Sequence, residues 1–418
     1  MTKYNEDAYE EERRPVKKSS GSSKSSGAKS SGTRSSGTKA SGTKSTGAKS
    51  SGSGKKSSEK KKPTSKKNSR KEQEKKKRRR IVLFILEIAV LLVMVVVLYG
   101  VMTAEKTGKV ELDEEDIIIN DTVKQAEETT MKGYRNIALF GVDSTTGALT
   151  KNTRSDTIMI ASINQDTGEC KLVSVYRDTY LNLSNDSYNK CNSAYAKGGP
   201  EMAISMLNMN LDMNITDFVT VGFAGLTDTV DALGGVYIDV DDAEISHLNN
   251  YQLCIAEDLK RSYTPVTTTG YQLLDGLQAT GYCRIRYTAG DDFKRAERQR
   301  EVLTAVADQA KKASPTQLVN TANSVFEEVY TSLDLSEIVE LLGDINKYYI
   351  SETAGFPAEE HRVTATIGSK GSCVVPLNLE ENVIWLHDFL FEAETYTPSA
   401  MVKDCSAQIE ADTANYVN

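Results

Sequence analysis

Histidine is scarce in this chain of 418 residues: His247, His361 and His387 are the only three, and no His-Glu-x-x-His spacing pairs two of them on a helix. Six cysteines are present, none in a Cys-x-x-Cys pair. Both absences argue against a zinc hydrolase. No Walker A lysine loop occurs, which disfavours a soluble nucleotide as substrate. Beyond residue 80 the chain is also short of positive charge. Residues 1–80 carry 26 lysines and arginines against 8 acids, whereas the rest carry 25 against 50. Such opposed halves rarely share a compartment or a partner.

Residues 18–55 repeat a five-residue Ser/Gly unit with a basic residue at Lys24, Lys29, Arg34, Lys39, Lys44 and Lys49. Ser and Gly offer nothing to bury, so a disordered cytoplasmic tail is expected over residues 1–80. Its charge could attract anionic lipid or nucleic acid. It is read as a solvated tail, with no specific nucleic acid expected. The next stretch, "IVLFILEIAVLLVMVVVLYGVMT" (81–103), is apolar except for Glu87 and long enough for one bilayer-spanning helix. The basic block before it and the acidic sequence after it place the N-terminus in the cytoplasm and the rest outside. Residues 104–132 read as an extracytoplasmic linker.

A globular pattern follows. Apolar runs at 135–143, 157–163, 170–175, 218–223 and 236–240 predict strands, several buried on both faces. "CRIRY" (283–287) alternates as a strand does. Helices are expected at 192–209, 223–233, 294–313, 315–328 and 335–348, and a hairpin at 361–376. The expected fold is α/β: a three-layer α-β-α sandwich with a mixed central sheet over residues 133–392, followed by a flexible tail over 393–418. The domain needs no disulfide at this size; at most one of the fifteen possible pairings is expected, Cys373–Cys405 being the first candidate because both lie near the periphery. Cys191 and Cys283 are read as core.

Charged residues cluster at predicted strand ends, where ligands usually bind in open α/β sheets. Asp143 closes the first strand, Arg154 and Asp156 open the second, and Arg177 and Asp178 follow the third. Taken singly, each could be a weak surface ion pair. Arg284 and Arg286, two apart on a strand, would share a face and repel unless an anion lay between them. A pyrophosphate suits them, because Arg contacts phosphate oxygens in pairs. Asp143 and Asp156 suit Mg²⁺ held against substrate phosphates. Arg300 is expected on the exposed side of its helix.

The segments "RNIALFGVDS", "RSDTIMIASI", "KLVSVYRDTYLNL", "KCNSAYAKGGP", "FVTVGFAGLTDTVDALGGVYIDV", "GYQLLDGLQATGYCRIRY" and "DDFKRAERQREVL" occur in this order. Together they resemble the LytR-CpsA-Psr family, well over residues 133–310 and more weakly to about 392. The resemblance implies a single-pass membrane enzyme that moves a glycopolymer from a polyprenyl-pyrophosphate lipid onto cell-wall peptidoglycan, with Mg²⁺. It implies that Asp143 and Asp156 bind the metal, and that Arg177 of "YRDT", the pair Arg284 and Arg286, and Arg295 meet the phosphates. Asn192, Arg298 and Gln299 match further family positions on the substrate side. Asp292 is the choice for the base that takes the acceptor proton, with Arg177, Arg286 and Arg295 stabilising charge on the leaving group. Tyr176 stands where the family usually has proline. The polyprenyl chain needs an apolar cleft, for which "FVTVGFAGL" is the candidate. Two other readings stay open: a non-catalytic binder or regulator of lipid-linked pyrophosphate, and a hydrolase of that pyrophosphate.

Overall fold

The computed structural model describes residues 108–109, 112, 116–126, 130–144, 149–150, 152–286, 291–325 and 328–417. The basic tail (1–80) and the apolar segment (81–103) lie outside the described residues. No helix among the described residues is long and apolar enough to cross a membrane.

In chain order the strands are β1 (Gly108–Lys109), β2 (Tyr134–Val142), β3 (Ser155–Asn164), β4 (Glu169–Val175), β5 (Tyr180–Asn182), β6 (Tyr188–Lys190), β7 (Asp217–Val221), β8 (Val236–Val240), β9 (Gly270–Leu274), β10 (Val329–Thr331), β11 (Tyr349–Phe356), β12 (Arg362–Thr366) and β13 (Ser372–Pro376). The helices are α1 (Asp121–Ala126), α2 (Asn192–Leu211), α3 (Phe223–Ala232), α4 (Asp242–Leu259), α5 (Gly276–Tyr282), α6 (Asp291–Lys312), α7 (Pro315–Val325), α8 (Leu335–Gly343), α9 (Leu379–Phe391) and α10 (Ala400–Thr413).

The central sheet is mixed, with strand order β1-β10-β7-β2-β3-β4-β11. Strand β3 runs antiparallel to β2 and β4, while β2 is parallel to β7 and β4 to β11. A parallel pair cannot be closed by a tight turn, so the chain leaves the sheet and returns through α2 before adding β7. The apolar runs of β2–β4 are continuous because both faces of the sheet are covered. On one side Phe140, Ile158, Ile160 and Val175 pack with Leu207 of α2, Leu386 of α9 and Val402 of α10. On the other, Ala161, Cys170 and Leu172 meet Leu303 of α6. A second core gathers Val236, Ile238 and Leu274 of the β8–β9 ribbon with Leu248, Tyr282, Ile285 and Val302.

Two expectations fail. Residues 283–286 form no strand; Tyr287 lies outside the described residues. Asp275 caps α5, its side chain accepting from the Gln278 N–H while Gln278 answers the Asp275 N–H. The helix then unwinds through turns, with the Arg284 N–H donating to Gly281 O at 3.1 Å. The alternation that reads as a strand is one turn that buries Cys283 and Ile285. The segment 393–418 is not an exposed tail: Ser399 caps α10, which sinks Val402, Cys405 and Ile409 into the main core. That spacing puts the three on one helical face. All six cysteines, Cys373 and Cys405 included, are free thiols, within the expectation of at most one disulfide. Cys191 and Cys283 are buried, as expected of core residues. The strands β2, β3, β4, β7 and β8, the β12–β13 hairpin and helices α2, α3, α6, α7 and α8 fall where the sequence predicts them, give or take a few residues. α4, α5, the β5–β6 hairpin, β9, β11 and α9 lie outside the predicted elements.

Candidate functional site

Strand ends build the site. The carboxyl ends of β2 and β4 and the amino end of β3 share one edge of the sheet, because Val142 pairs with Ser155. Asp143 follows the last residue of β2, and Asp156 is the second residue of β3. Arg177 follows β4 by two residues. α6 begins beside this edge, bringing Asp292 and Arg295 to it, and the turn after α5 brings Arg286.

Three guanidinium groups meet two carboxylates there. Arg177 Nη1 donates to Asp156 Oδ1 at 2.8 Å, and Arg286 Nη2 donates to Asp156 Oδ2 at 3.3 Å. Arg295 Nη2 reaches the Asp156 carbonyl at 3.5 Å. Asp292 lies 3.2 Å from Arg295, 3.6 Å from Arg177 and 3.8 Å from Arg286. Burial alone would raise the Asp156 carboxyl pKa; Arg177, Arg295 and Arg286 outweigh it and hold the group below the usual carboxylate range. Burial, followed by repulsion from Arg177 and Arg286, lowers Arg295 to about 10, so it still carries its charge at neutral pH. For Arg177 the pull of Asp156, Asp292 and Asp178 exceeds the burial effect and raises its pKa.

The cluster is electrostatically incomplete. Arg177 Nε and Arg295 Nε are buried with no hydrogen-bond partner among the described residues, and Asp292 Oδ1 likewise accepts no hydrogen bond. Buried donors in folded chains nearly always find acceptors. These line a cavity of about 110 Å³ that also takes in Tyr176, Gln299 and Val374. It adjoins an open cleft of about 450 Å³ lined by Arg154, Arg177, Lys190, Asn192 and Lys370. Lys190 and Lys370 carry no motif of their own; only the fold brings them together with Arg154. The chemistry is that of an oxyanion site with a cationic approach.

The site residues expected from sequence divide into two groups. Arg177, Arg286, Asp292, Arg295, Asp156 and Gln299 converge. Asn192 is buried at the start of α2, where its N–H donates to Arg177 O at 3.1 Å, beside the cationic cleft. Arg284 does not accompany Arg286. With no strand to align the pair, its guanidinium stacks over Phe223 at 4.5 Å and Tyr251 at 5.3 Å. Arg298 is buried in an ion pair, its Nε donating to Glu244 Oε1 at 2.7 Å and its Nη1 to the Ile285 carbonyl at 3.2 Å. It therefore fixes the turn that carries Arg286. Arg300 is buried rather than exposed. Tyr176, in the place of the family proline, packs edge-on against Phe293 at 4.7 Å, with Arg362 over both rings. Its hydroxyl occupies the space a Cβ at Gly355 would need, so this tyrosine requires glycine on β11.

No group of three or more His, Cys, Asp or Glu suited to a metal occurs among the described residues. Magnesium is commonly held by only one or two carboxylates together with substrate phosphates. Each Asp156 oxygen accepts one arginine bond and keeps a further lone pair, and Asp143 is exposed just past the end of β2, so the two carboxylates fit that mode.

The family model described as LytR_cpsA_psr matches residues 95–365. Among curated relatives, the polyisoprenyl-teichoic acid–peptidoglycan teichoic acid transferase TagU of Enterococcus faecalis is 31% identical over 202 residues, 47% of this chain and 58% of TagU. TagT of Bacillus subtilis, of the same description, is 30% identical over 181 residues, 43% of this chain and 53% of TagT. The chain thus spans little more than half the length of these relatives. In structure it resembles B. subtilis TagV, with TM-score 0.50 and 24% identity over 64% of this chain and 99% of that one. A transcriptional regulator from E. faecalis gives TM-score 0.53 and 22% identity over 69% and 98%. Both likenesses concern the fold.

Proposed function

The chain belongs to the LytR_cpsA_psr family, and from that premise we propose that it is a transferase moving a glycopolymer from a polyprenyl-pyrophosphate carrier onto peptidoglycan. The observation that carries this reading is the convergence of Arg177, Arg286 and Arg295 on Asp156 and Asp292; Arg177 and Arg295 also line one cavity, each with an unsatisfied buried Nε. A pyrophosphate supplies the acceptors those donors lack.

In the step we propose, an acceptor hydroxyl on peptidoglycan attacks the polymer-side phosphorus. A new O–P bond forms, the bridging O–P bond of the pyrophosphate breaks, and polyprenyl monophosphate departs. Asp292 Oδ1, buried and accepting no hydrogen bond, takes the hydroxyl proton. Arg177, Arg286 and Arg295 bind the phosphate oxygens and offset the charge that builds on the leaving group. Arg298, tied to Glu244 and the Ile285 carbonyl, holds Arg286 in place. Mg²⁺, held by Asp143 and Asp156, would when bound neutralise further charge on the leaving phosphate. The apolar segment 81–103, preceded by its basic block, supports a single-pass anchor with the N-terminus in the cytoplasm and the domain outside, where peptidoglycan lies.

The test incubates the full chain with lipid-linked polymer, Mg²⁺ and peptidoglycan and looks for covalent attachment. Free polymer released without an acceptor would make the protein a hydrolase. Tight binding of the carrier lipid with no turnover would make it a binder or regulator.

A further inference from the structure

The helix α6 has two working faces. Asp292, Arg295, Ala296 and Gln299 line the phosphate cavity. Glu297, Arg300, Glu301, Thr304 and Asp308, at the complementary helical positions, line a separate groove of about 450 Å³. The exposed face of the β8–β9 ribbon contributes to the same groove. There Tyr237 and Tyr271 are 44% and 73% exposed, and their rings stack at 5.3 Å and 20°. Large exposed rings held in a fixed pair are unusual on a surface and characteristic of binding sites.

A second, independent feature is Arg300. It is 8% exposed and lines the groove, yet its Nε and Nη1 have no hydrogen-bond partner among the described residues. Burial lowers its pKa, and the nearby Tyr176, Glu297 and Glu301 offset the effect only in part. A buried guanidinium with idle donors calls for an acceptor from outside the chain.

The groove's composition selects the ligand. Asp239, Glu297, Glu301 and Asp308 outnumber Arg300 and Lys312, so a polyphosphate is repelled. A neutral sugar suits it. Its apolar C–H face covers the tyrosine rings, its hydroxyls donate to the carboxylates, and a carbonyl on the sugar accepts from Arg300. We propose that this groove binds an N-acetylated hexosamine chain, at a site apart from the phosphate cavity. Its role as the docking place of the acceptor strand rests on the transferase reading; the binding itself does not.

The test titrates N,N′,N″,N‴-tetraacetylchitotetraose into the full chain by calorimetry. Saturable binding is expected. Tyr271→Ala, at an exposed position that leaves the fold intact, should weaken it about two- to tenfold. Arg300→Lys keeps the charge but loses the fork, and should weaken it as well. Arg286→Ala, in the arginine cluster beside the phosphate cavity, should leave chitotetraose binding unchanged. No saturable binding by the parent chain, or titrations unaltered by both Tyr271→Ala and Arg300→Lys, would overturn the proposal. Chitotetraose binding without polymer attachment would keep the groove and remove the transferase.

Discussion

Arg286 and Arg284 look equivalent in the sequence and should behave differently in the protein. Arg286 donates to Asp156 at 3.3 Å and lies 3.8 Å from Asp292, inside the cluster built for an anion. Its side chain is 21% exposed, so water screens it only in part. Charge-assisted contacts of this kind contribute roughly 1.5–3 kcal/mol each. Arg286→Ala should therefore weaken binding of a short polyprenyl pyrophosphate by about ten- to over a hundredfold. Arg286→Lys should recover part of the loss, because charge returns without the bidentate fork. Arg284 stacks on Phe223 and Tyr251 instead, a contribution of roughly 0.5–1 kcal/mol at partly exposed sites and one made mainly to the fold. Arg284→Ala should lower the melting temperature slightly and change lipid affinity less than threefold or so. Calorimetric titration of both variants decides the matter. Equal losses in the two, or parental affinity in Arg286→Ala, would refute the assignment of the site.

Glu244→Ala removes the carboxylate from the buried ion pair with Arg298 and half of a capping box, so urea unfolding should report a loss of about 3–5 kcal/mol; a loss under ~1 kcal/mol would mean the ion pair is not what holds the turn. His387 is buried, its Nε2 donates to Leu211 O at 3.0 Å, and burial lowers its pKa to about 4 from 6.5. The unfolded chain therefore binds a proton that the folded chain refuses between those values. Stability should fall as pH drops from 6.5 toward 4, by on the order of 3 kcal/mol in all, and His387→Gln should flatten that limb of the melting curve against pH. Asp143→Ala should weaken Mg²⁺ binding measured with polyprenyl pyrophosphate present while circular dichroism stays parental; unchanged Mg²⁺ affinity would take Asp143 out of the metal site.

What the sequence conveyed depended on the range of the interactions concerned. The strands β2, β3 and β4 are legible because burial on both faces writes itself into consecutive residues. Asp156, Arg177 and Arg295 are legible because a strand end or helix start marks where each must lie. Arg284 and Arg286 show where local reading fails. Alternation of buried and exposed residues over five positions occurs in a strand and also in a turn that leaves a helix, and only the Asp275–Gln278 capping box upstream separates the two. In a strand both arginines would face one ligand; in the turn they diverge, one to aromatic rings and one to Asp156. Arg298 has no local signal at all, since its partner Glu244 is 54 positions away. The same holds for Lys190 and Lys370, ordinary lysines until the β5–β6 and β12–β13 hairpins bring them to one cleft. In "FVTVGFAGL", the candidate wall for a polyprenyl chain, core packing and a ligand wall look alike from the sequence; in the fold Phe218 is fully buried in the sheet's own core and Phe223 carries the Arg284 stack. Arg300 is the sharper case. A charged residue on a helix facing an acidic groove reads as solvated surface, yet it is buried with idle donors, and only the folded chain reveals that the helix carrying the phosphate site has a second face that needs a ligand.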